Sequence, residues 1–271
     1  MKLVSRVFLL LCLLGVAVPL GWVLLSSVKP AAEILGQPWA LPTEVRWSNY
    51  AKAWGEAGIG RAFLNSLLVT VTTLAVLLPS GAMAAYVLAK YVFPGRRLIQ
   101  TGFLAGMMFP HFLVVVPLFL MLRDLKLLDT LTGLVIVYAA YSLSFTVFVL
   151  TGFFETLPDE LGEAAMLDGC GHAATFWRVM LPLARPGLVV VAIFNAIGLW
   201  NEYSLALVLL PSERNATLPL GIANLTATQQ YQSDWGALFA GLVIVMLPVL
   251  AVYWIFRDRI HDTMLAGAVK G

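Results

Sequence analysis

The charges of this chain fall in short clusters, and between the clusters lie long stretches that carry none. Uncharged runs occupy residues 7–28, 62–89, 98–122, 130–154 and 235–256. Each reaches the roughly 20 residues that a helix needs to cross about 30 Å of hydrocarbon. A sixth run, 187–210, is long enough but carries Glu202. The pattern predicts an all-α membrane protein with six transmembrane helices, built as a single domain over residues 1–271. Two polar stretches, 155–186 and 257–271, form the last loop on one side and the tail.

Composition agrees with a bilayer setting. The chain is 60% hydrophobic and 12% charged, with a mean hydropathy of +0.87, whereas soluble domains carry about 25% charge. Lys and Arg near the helix ends set orientation. With the N-terminus inside, ten fall inside (Lys2, Arg6, Lys90, Arg96, Arg97, Arg178, Arg185, Arg257, Arg259, Lys270) and seven outside (Lys29, Arg46, Lys52, Arg61, Arg123, Lys126, Arg214). Both termini are therefore expected in the cytoplasm. Lys2 and Arg6 precede an apolar run too long for an ordinary signal peptide, so the first helix reads as uncleaved. Cys12 and Cys170 offer no disulfide framework.

The first external loop, 27–61, is broken by Pro30, Pro38 and Pro42 and carries Trp39, Trp47, Tyr50 and Trp54. Such aromatics suit a headgroup belt and also suit a docking surface. Pro79 in the second helix, and Pro110 and Pro117 in the third, each free a carbonyl that neighbours or water must satisfy. His111, His172 and His261 lie in separate segments without zinc-helix spacing. No Gly-rich loop followed by Lys-Ser/Thr is present, so nothing here cradles a nucleotide phosphate, and no catalytic set emerges.

The loop at 155–186 is the most specific feature. Thr156-Leu157-Pro158-Asp159 has the spacing of a helix start. A short helix through Glu163, Ala164 and Ala165 should stop at Asp168-Gly169, where glycine takes the left-handed conformation. A second helical piece, 172–180, leads to Leu181-Pro182, twelve residues beyond the glycine. The alanines would let a partner wall approach closely, and Glu163 would meet a basic residue at its rim. An ordinary amphipathic connector is the bland alternative.

Glu163-Ala164-Ala165 with Asp168-Gly169 and Leu181-Pro182 resembles the EAA loop of binding-protein-dependent ABC-importer permeases. Trp200-Asn201-Glu202-Tyr203 and the ending Leu265-Ala266-Gly267-Ala268-Val269-Lys270-Gly271 also resemble the carbohydrate-uptake subfamily, MalG-type subunit. Cys170 departs from that family's usual alanine. The resemblance spans nearly the whole chain and implies the type I ABC-importer permease fold, with a coupling helix in the cytoplasmic loop.

It further implies an inner-membrane sugar importer of the maltose or trehalose kind. This subunit would form half the pathway beside a second homologous permease. Two ATPase subunits would hold ATP and Mg, and an extracytoplasmic sugar-binding protein would deliver the solute. The chain itself would be no enzyme and would carry no cofactor, metal or nucleic acid.

The implied sites are Glu163, Ala164, Ala165, Asp168 and Gly169 for ATPase coupling, and Asn201 and Glu202 for the substrate pathway. An external loop at 211–234 would dock the binding protein through Asn224, Thr226, Gln229 and Gln230. A slim, flexible tail would contact the ATPases through Gly267, Lys270 and Gly271. An importer of another solute, such as a glycerol phosphodiester, and an ion-driven secondary transporter using Glu202 are the competing readings.

Overall fold

The computed structural model describes the backbone of residues 2–232 and 234–268, and the side chains outside 1–3, 111, 228–233 and 257–271. Helices make up the regular structure, and no strand occurs among the described residues. In chain order they are α1 (Lys2–Ser26), α2 (Ala31–Gly36), α3 (Ser48–Ala51), α4 (Ile59–Lys90), α5 (Arg96–Met108), α6 (Val115–Asp124) and α7 (Leu131–Glu155). Then come α8 (Glu160–Leu167), α9 (His172–Thr175), α10 (Leu181–Leu183), α11 (Arg185–Asn201), α12 (Ser204–Leu209), α13 (Leu218–Gln232) and α14 (Trp235–Ala268). Helices α1, α4, α7 and α14 are each long and apolar enough to span a membrane, and the number is up to six if each of two bent pairs, Arg96–Met108 with Phe112–Asp124 and His172–Leu183 with Arg185–Asn201, is one span.

The expected runs at 7–28, 62–89, 130–154 and 235–256 fall in single long helices, and the other two are broken. The run at 98–122 is two helices bent by 91° around Phe109 and Pro110. Proline has no N–H to donate and disfavours the helical conformation in the residue before it; Phe109 is accordingly extended, at φ −75° and ψ 123°. Pro117 causes no break because it sits in the first turn of α6. The run at 187–210 is likewise interrupted at Glu202 and Tyr203, between α11 and α12. In α4, Pro79 lies inside an unbroken helix, and Ser80 Oγ donates to the Val76 carbonyl at 2.7 Å.

The chain forms two compact units. The first combines Met1–Asn65 with Ala216–Ala251. Here the segment 27–61 is stapled onto the end of α1. The buried Asn49 amide donates to the carbonyls of Ser27 (3.0 Å) and Lys29 (2.9 Å), and Ser27 Oγ pairs with Tyr50 Oη at 2.7 Å. Trp22 Nε1 and the fully buried Lys29 ammonium both donate to Pro38 O. Trp22 also meets Phe239 edge-on at 5.0 Å. Asn49 and Tyr50 are thus internal struts, while Trp39, Trp47 and Trp54 remain exposed.

The segment 211–234, expected as a polar loop, is mostly α13. Its Leu218, Leu220 and Leu225 are buried, which explains why a segment with many amides and hydroxyls folds as a packed helix. Gly221 lets α13 close on α4, since a Cβ there would stand 2.9 Å from that of Ala62.

The second unit combines Ser66–Asn215 with Val252–Gly271. Ala82, Ala85, Tyr86 and Leu88 of α4 share a core with Val147, Leu150 and Phe154 of α7 and with Phe176, Met180, Ala184 and Val191. Small residues permit the close approach that packing between membrane helices needs: a Cβ at Gly81 would meet Thr146 Cγ2 at 2.4 Å, and one at Gly187 the Phe153 ring at 2.5 Å. The helix α14 runs on to Ala268, so Gly267 lies in a helix rather than in a slim extended tail. Lys270 and Gly271 lie outside the described residues.

Candidate functional site

Two places in the second unit gather the predicted residues: a helical knob built from the 155–186 loop, and a cleft among α5, α7, α11 and α12.

The knob begins differently from the expected capping box. Thr156 Oγ1 donates back to Phe153 O at 2.7 Å and closes α7 instead of opening α8, because it occupies the last turn of the preceding helix. Asp159 stands before α8, and its carbonyl receives the amides of Gly162 and Glu163. The stop is as expected. Gly169 has φ +87°, and the amides of Cys170 and Gly169 reach the carbonyls of Ala165 and Met166 at 3.0 Å each. That paired bonding is the Schellman arrangement, which satisfies the last carbonyls of a helix. The second arm is α9 continued by a π-helical turn, Phe176–Met180.

Phe176, Met180 and Ala184 anchor the knob in the core below it. The outer side carries exposed Glu163, Ala164 and Asp168. Ala165 does not join them: it is 7% exposed and packs inside the knob, so its small size serves the fold within this chain. Leu167, at the tip, is 89% exposed, and Leu161 and Met166 are exposed beside it. The sequence reading missed these three, since apolar residues in a helix ordinarily signal a core. The usable signal was position: Leu167 directly precedes the Asp168-Gly169 turn, where a side chain has no neighbour of its own to lie on.

The cleft has a volume of about 440 Å³. Gly106 and Met107 line it from the end of α5, Tyr138, Tyr141, Ser142 and Phe145 from α7, and Phe194, Asn195, Gly198 and Leu199 from α11, with Glu202 and Leu205 at the break that follows. Both interrupted spans thus contribute at their interruptions. Irregular backbone at membrane depth is tolerated where it borders a cavity or is buried in protein.

Its polar groups are few. Asn195, 7% exposed, spends its amide nitrogen on Thr146 Oγ1 (3.1 Å) and Val191 O (2.9 Å). Its carbonyl oxygen has no hydrogen-bond partner among the described residues, and neither has the hydroxyl of Ser142, 6% exposed. The Phe145 and Phe194 rings meet edge-on with centroids 6.3 Å apart.

Glu202 was expected near mid-helix, facing a cavity. It does line the cleft, but from the helix break, where its carboxylate receives the amides of Leu205 (2.7 Å) and Ala206 (3.1 Å) and the Tyr138 hydroxyl (2.5 Å). Three donors satisfy a carboxylate whose unpaired counterpart at the centre of a membrane helix costs about 2.5–3.5 kcal/mol on insertion scales. Asn201 is exposed, bonds to its own helix at Ile197 O (2.8 Å), and does not line the cleft. Asn195 and Ser142 line the cleft where Asn201 does not.

Of the docking candidates, Thr226 donates to Ile222 O within α13 at 2.8 Å, and Asn224 is half-buried on the same helix. The side chains of Gln229 and Gln230 lie outside the described residues. No cluster of potential metal ligands occurs among the described residues.

Residues 77–264, which hold the knob and the cleft, match the family described as binding-protein-dependent transport system inner membrane component. The chain belongs to that family. It is a membrane permease of a transport system that works with a binding protein, and its family is one of transporters, not enzymes.

This permease is 46% identical to the diacetylchitobiose uptake system permease protein NgcG of Streptomyces coelicolor, over 98% of this chain and 88% of that protein. It is 35% identical to the trehalose transport system permease protein SugB of Mycobacterium tuberculosis, over 93% and 92%. A chain in the crystal structure of a bacterial ABC transporter that imports the acidic polysaccharide alginate superposes with a TM-score of 0.81 at 26% identity, over 95% of both chains.

Proposed function

We propose that this permease forms half the translocation pathway of an ATP-driven importer for a di- or oligosaccharide. The cleft in the second unit is the observation that carries this reading. Aromatic faces suit the apolar CH faces of a pyranose ring, and the free acceptor of Asn195 and the Ser142 hydroxyl suit its hydroxyl groups. A wall of apolar and aromatic side chains with a few placed polar groups is the usual make-up of a small-molecule site. The relatives named for diacetylchitobiose and trehalose uptake support the same solute class.

In this reading a second, related permease supplies the other half of the pathway. Two ATPase subunits hold ATP and Mg and grip the knob at Glu163, Ala164, Asp168 and the exposed Leu167. The binding protein meets α13 and its neighbours from outside, and both termini face the cytoplasm. ATP binding biases a two-state equilibrium of the paired permeases by its differential affinity for the two states, and the knob passes that bias to the membrane helices. An ion-driven transporter is a poorer fit, because the Glu202 carboxylate is already occupied by three donors in one element junction.

The test is uptake by the complete complex in proteoliposomes, with its binding protein, against diacetylchitobiose, trehalose, maltose and a glycerol phosphodiester. Saturable, ATP-dependent uptake of at least one of the sugars is expected. Uptake of the phosphodiester with none of the sugars would overturn the reading.

A further inference from the structure

The end of α4 grips the knob through two adjacent residues. Lys90, in the last turn of α4, is only 10% exposed; its ammonium donates to Leu157 O (2.5 Å) and to the carboxylate of Asp159 (2.5 Å). Both acceptors belong to the short strap that leads into α8. The next residue, Tyr91, places its hydroxyl 2.9 Å from Nδ1 of His172, the first residue of α9. The two helices held in this way stand on opposite sides of the Gly169 turn. One dipeptide therefore fixes the root of each arm of the knob.

A third contact lies one turn earlier on the same helix. Tyr86 packs against Phe154, at a centroid distance of 5.5 Å, and against Phe176 of the second arm, at 5.2 Å. Tyr86 also meets Tyr91 edge-on at 5.7 Å. Polar and apolar contacts converge on the last two turns of a helix that is roughly 48 Å long at 1.5 Å per residue. Further up, Gly81 brings α4 against Thr146 of α7, and Thr146 bonds to Asn195 in the cleft wall.

We propose that Lys90 and Tyr91 are positioning residues for coupling. They clamp both arms of the knob to α4, so that a push on the knob moves α4 as one body instead of bending the knob at its turn. This rests on the reading of the knob as the ATPase contact. Lys90 is suited to the task because an ammonium can satisfy a carbonyl and a carboxylate together, and because a cation at a helix C-terminus is favoured by the helix dipole. The Tyr91 contact is a lone hydroxyl-to-imidazole bond and should carry the smaller share.

The experiment uses the complete complex with its ATPases and binding protein, and reads ATP hydrolysed per sugar transported. Lys90→Met should assemble normally and hydrolyse ATP, with the ratio rising at least fivefold; Lys90→Arg should return it to within twofold of wild type. Tyr91→Phe and Asp159→Ala, each removing one contact, should raise the ratio about twofold. Should Lys90→Met fail to assemble, these two variants decide, and a wild-type ratio in both would overturn the proposal.

A second measurement does not depend on transport. In a Cys12→Ser, Cys170→Ser background, spin labels at residues 87 and 160 should give one narrow distance that broadens in Lys90→Met. An unchanged distribution would overturn the clamp even if the complex proved to carry another solute. A narrow distance that broadens while no sugar is transported would uphold the clamp and overturn only the sugar reading.

Discussion

Tyr138 and Glu202, 64 residues apart, are joined by a hydrogen bond from the phenol to the carboxylate at 2.5 Å. The same carboxylate holds the first amides of α12. One side chain therefore closes the break between α11 and α12 and fastens it to α7. Hydrogen bonds to charged groups contribute about 1.5–3 kcal/mol each, so the loss of several should be felt. Glu202→Ala is expected to lower the melting temperature of the assembled complex by several degrees and to abolish uptake. Tyr138→Phe, which removes one donor of three, should lower uptake several-fold while the complex stays assembled. Uptake and thermal unfolding of the purified complex measure both.

Asn201 and Asn195 should behave oppositely. Asn201→Ala removes a bond within one exposed turn, and uptake is expected within about twofold of wild type. Asn195→Ala removes the acceptor in the cleft together with two internal bonds. Relative uptake of two competing sugars should change at least fivefold. Competition assays in proteoliposomes distinguish the two.

Gly169→Val should uncouple the permease. Its φ of +87° lies in the left-handed region, where a β-branched residue is a genuine outlier and strain of this kind costs about 1–3 kcal/mol. No atom stands within 4 Å of the Cβ position, so the cost is conformational and not a clash. Membrane insertion is expected to be normal and uptake to fall at least tenfold. Leu167→Asp, at the tip, should have the same effect with the turn itself intact.

The strap on α2 should respond to acid. Thr43 donates its hydroxyl and its amide to the Glu33 carboxylate. The hydroxyl bond chiefly holds that carboxyl below its ordinary value of 4.5, against an opposing desolvation and aided by the Thr43 amide, Lys29 and Arg46. A carboxyl depressed in the fold adds stability above its unfolded value, and that stability fades as pH falls through the folded one. Protection of the amides of residues 31–46, corrected for the intrinsic pH dependence of exchange, should therefore be flat at neutral pH and fall once pH drops below about 4.5. Thr43→Ala, which removes the main cause of the depression, should lower protection at neutral pH and flatten that acid-dependent loss.

Several features were legible in the sequence because their causes are local. The apolar runs mark the spans, since hydrocarbon thickness sets their length regardless of neighbours. Asp168-Gly169 marks the turn of the knob, since only the glycine's own backbone freedom is involved. Pro110 warns of a break, although its 91° direction depends on what α5 and α6 pack against. The segment 211–234 misled for the converse reason: its polar composition describes a surface, whereas Leu218, Leu220 and Leu225 decide that it folds as a helix.

The sequence by itself determined a membrane protein with a helix–turn–helix knob in the stretch 155–186, because hydropathy and glycine chemistry act over a few residues. Only the tertiary structure decided what each polar group is for. Glu202 became a clasp when Tyr138 arrived from α7, Asn195 became the acceptor in the cleft, and Ala165 turned inward while Leu167 stayed out. Lys90 found Asp159 across 69 positions of chain. Such pairings depend on how helices approach one another, and packing of that kind is a property of surfaces in contact, which no local stretch of residues encodes.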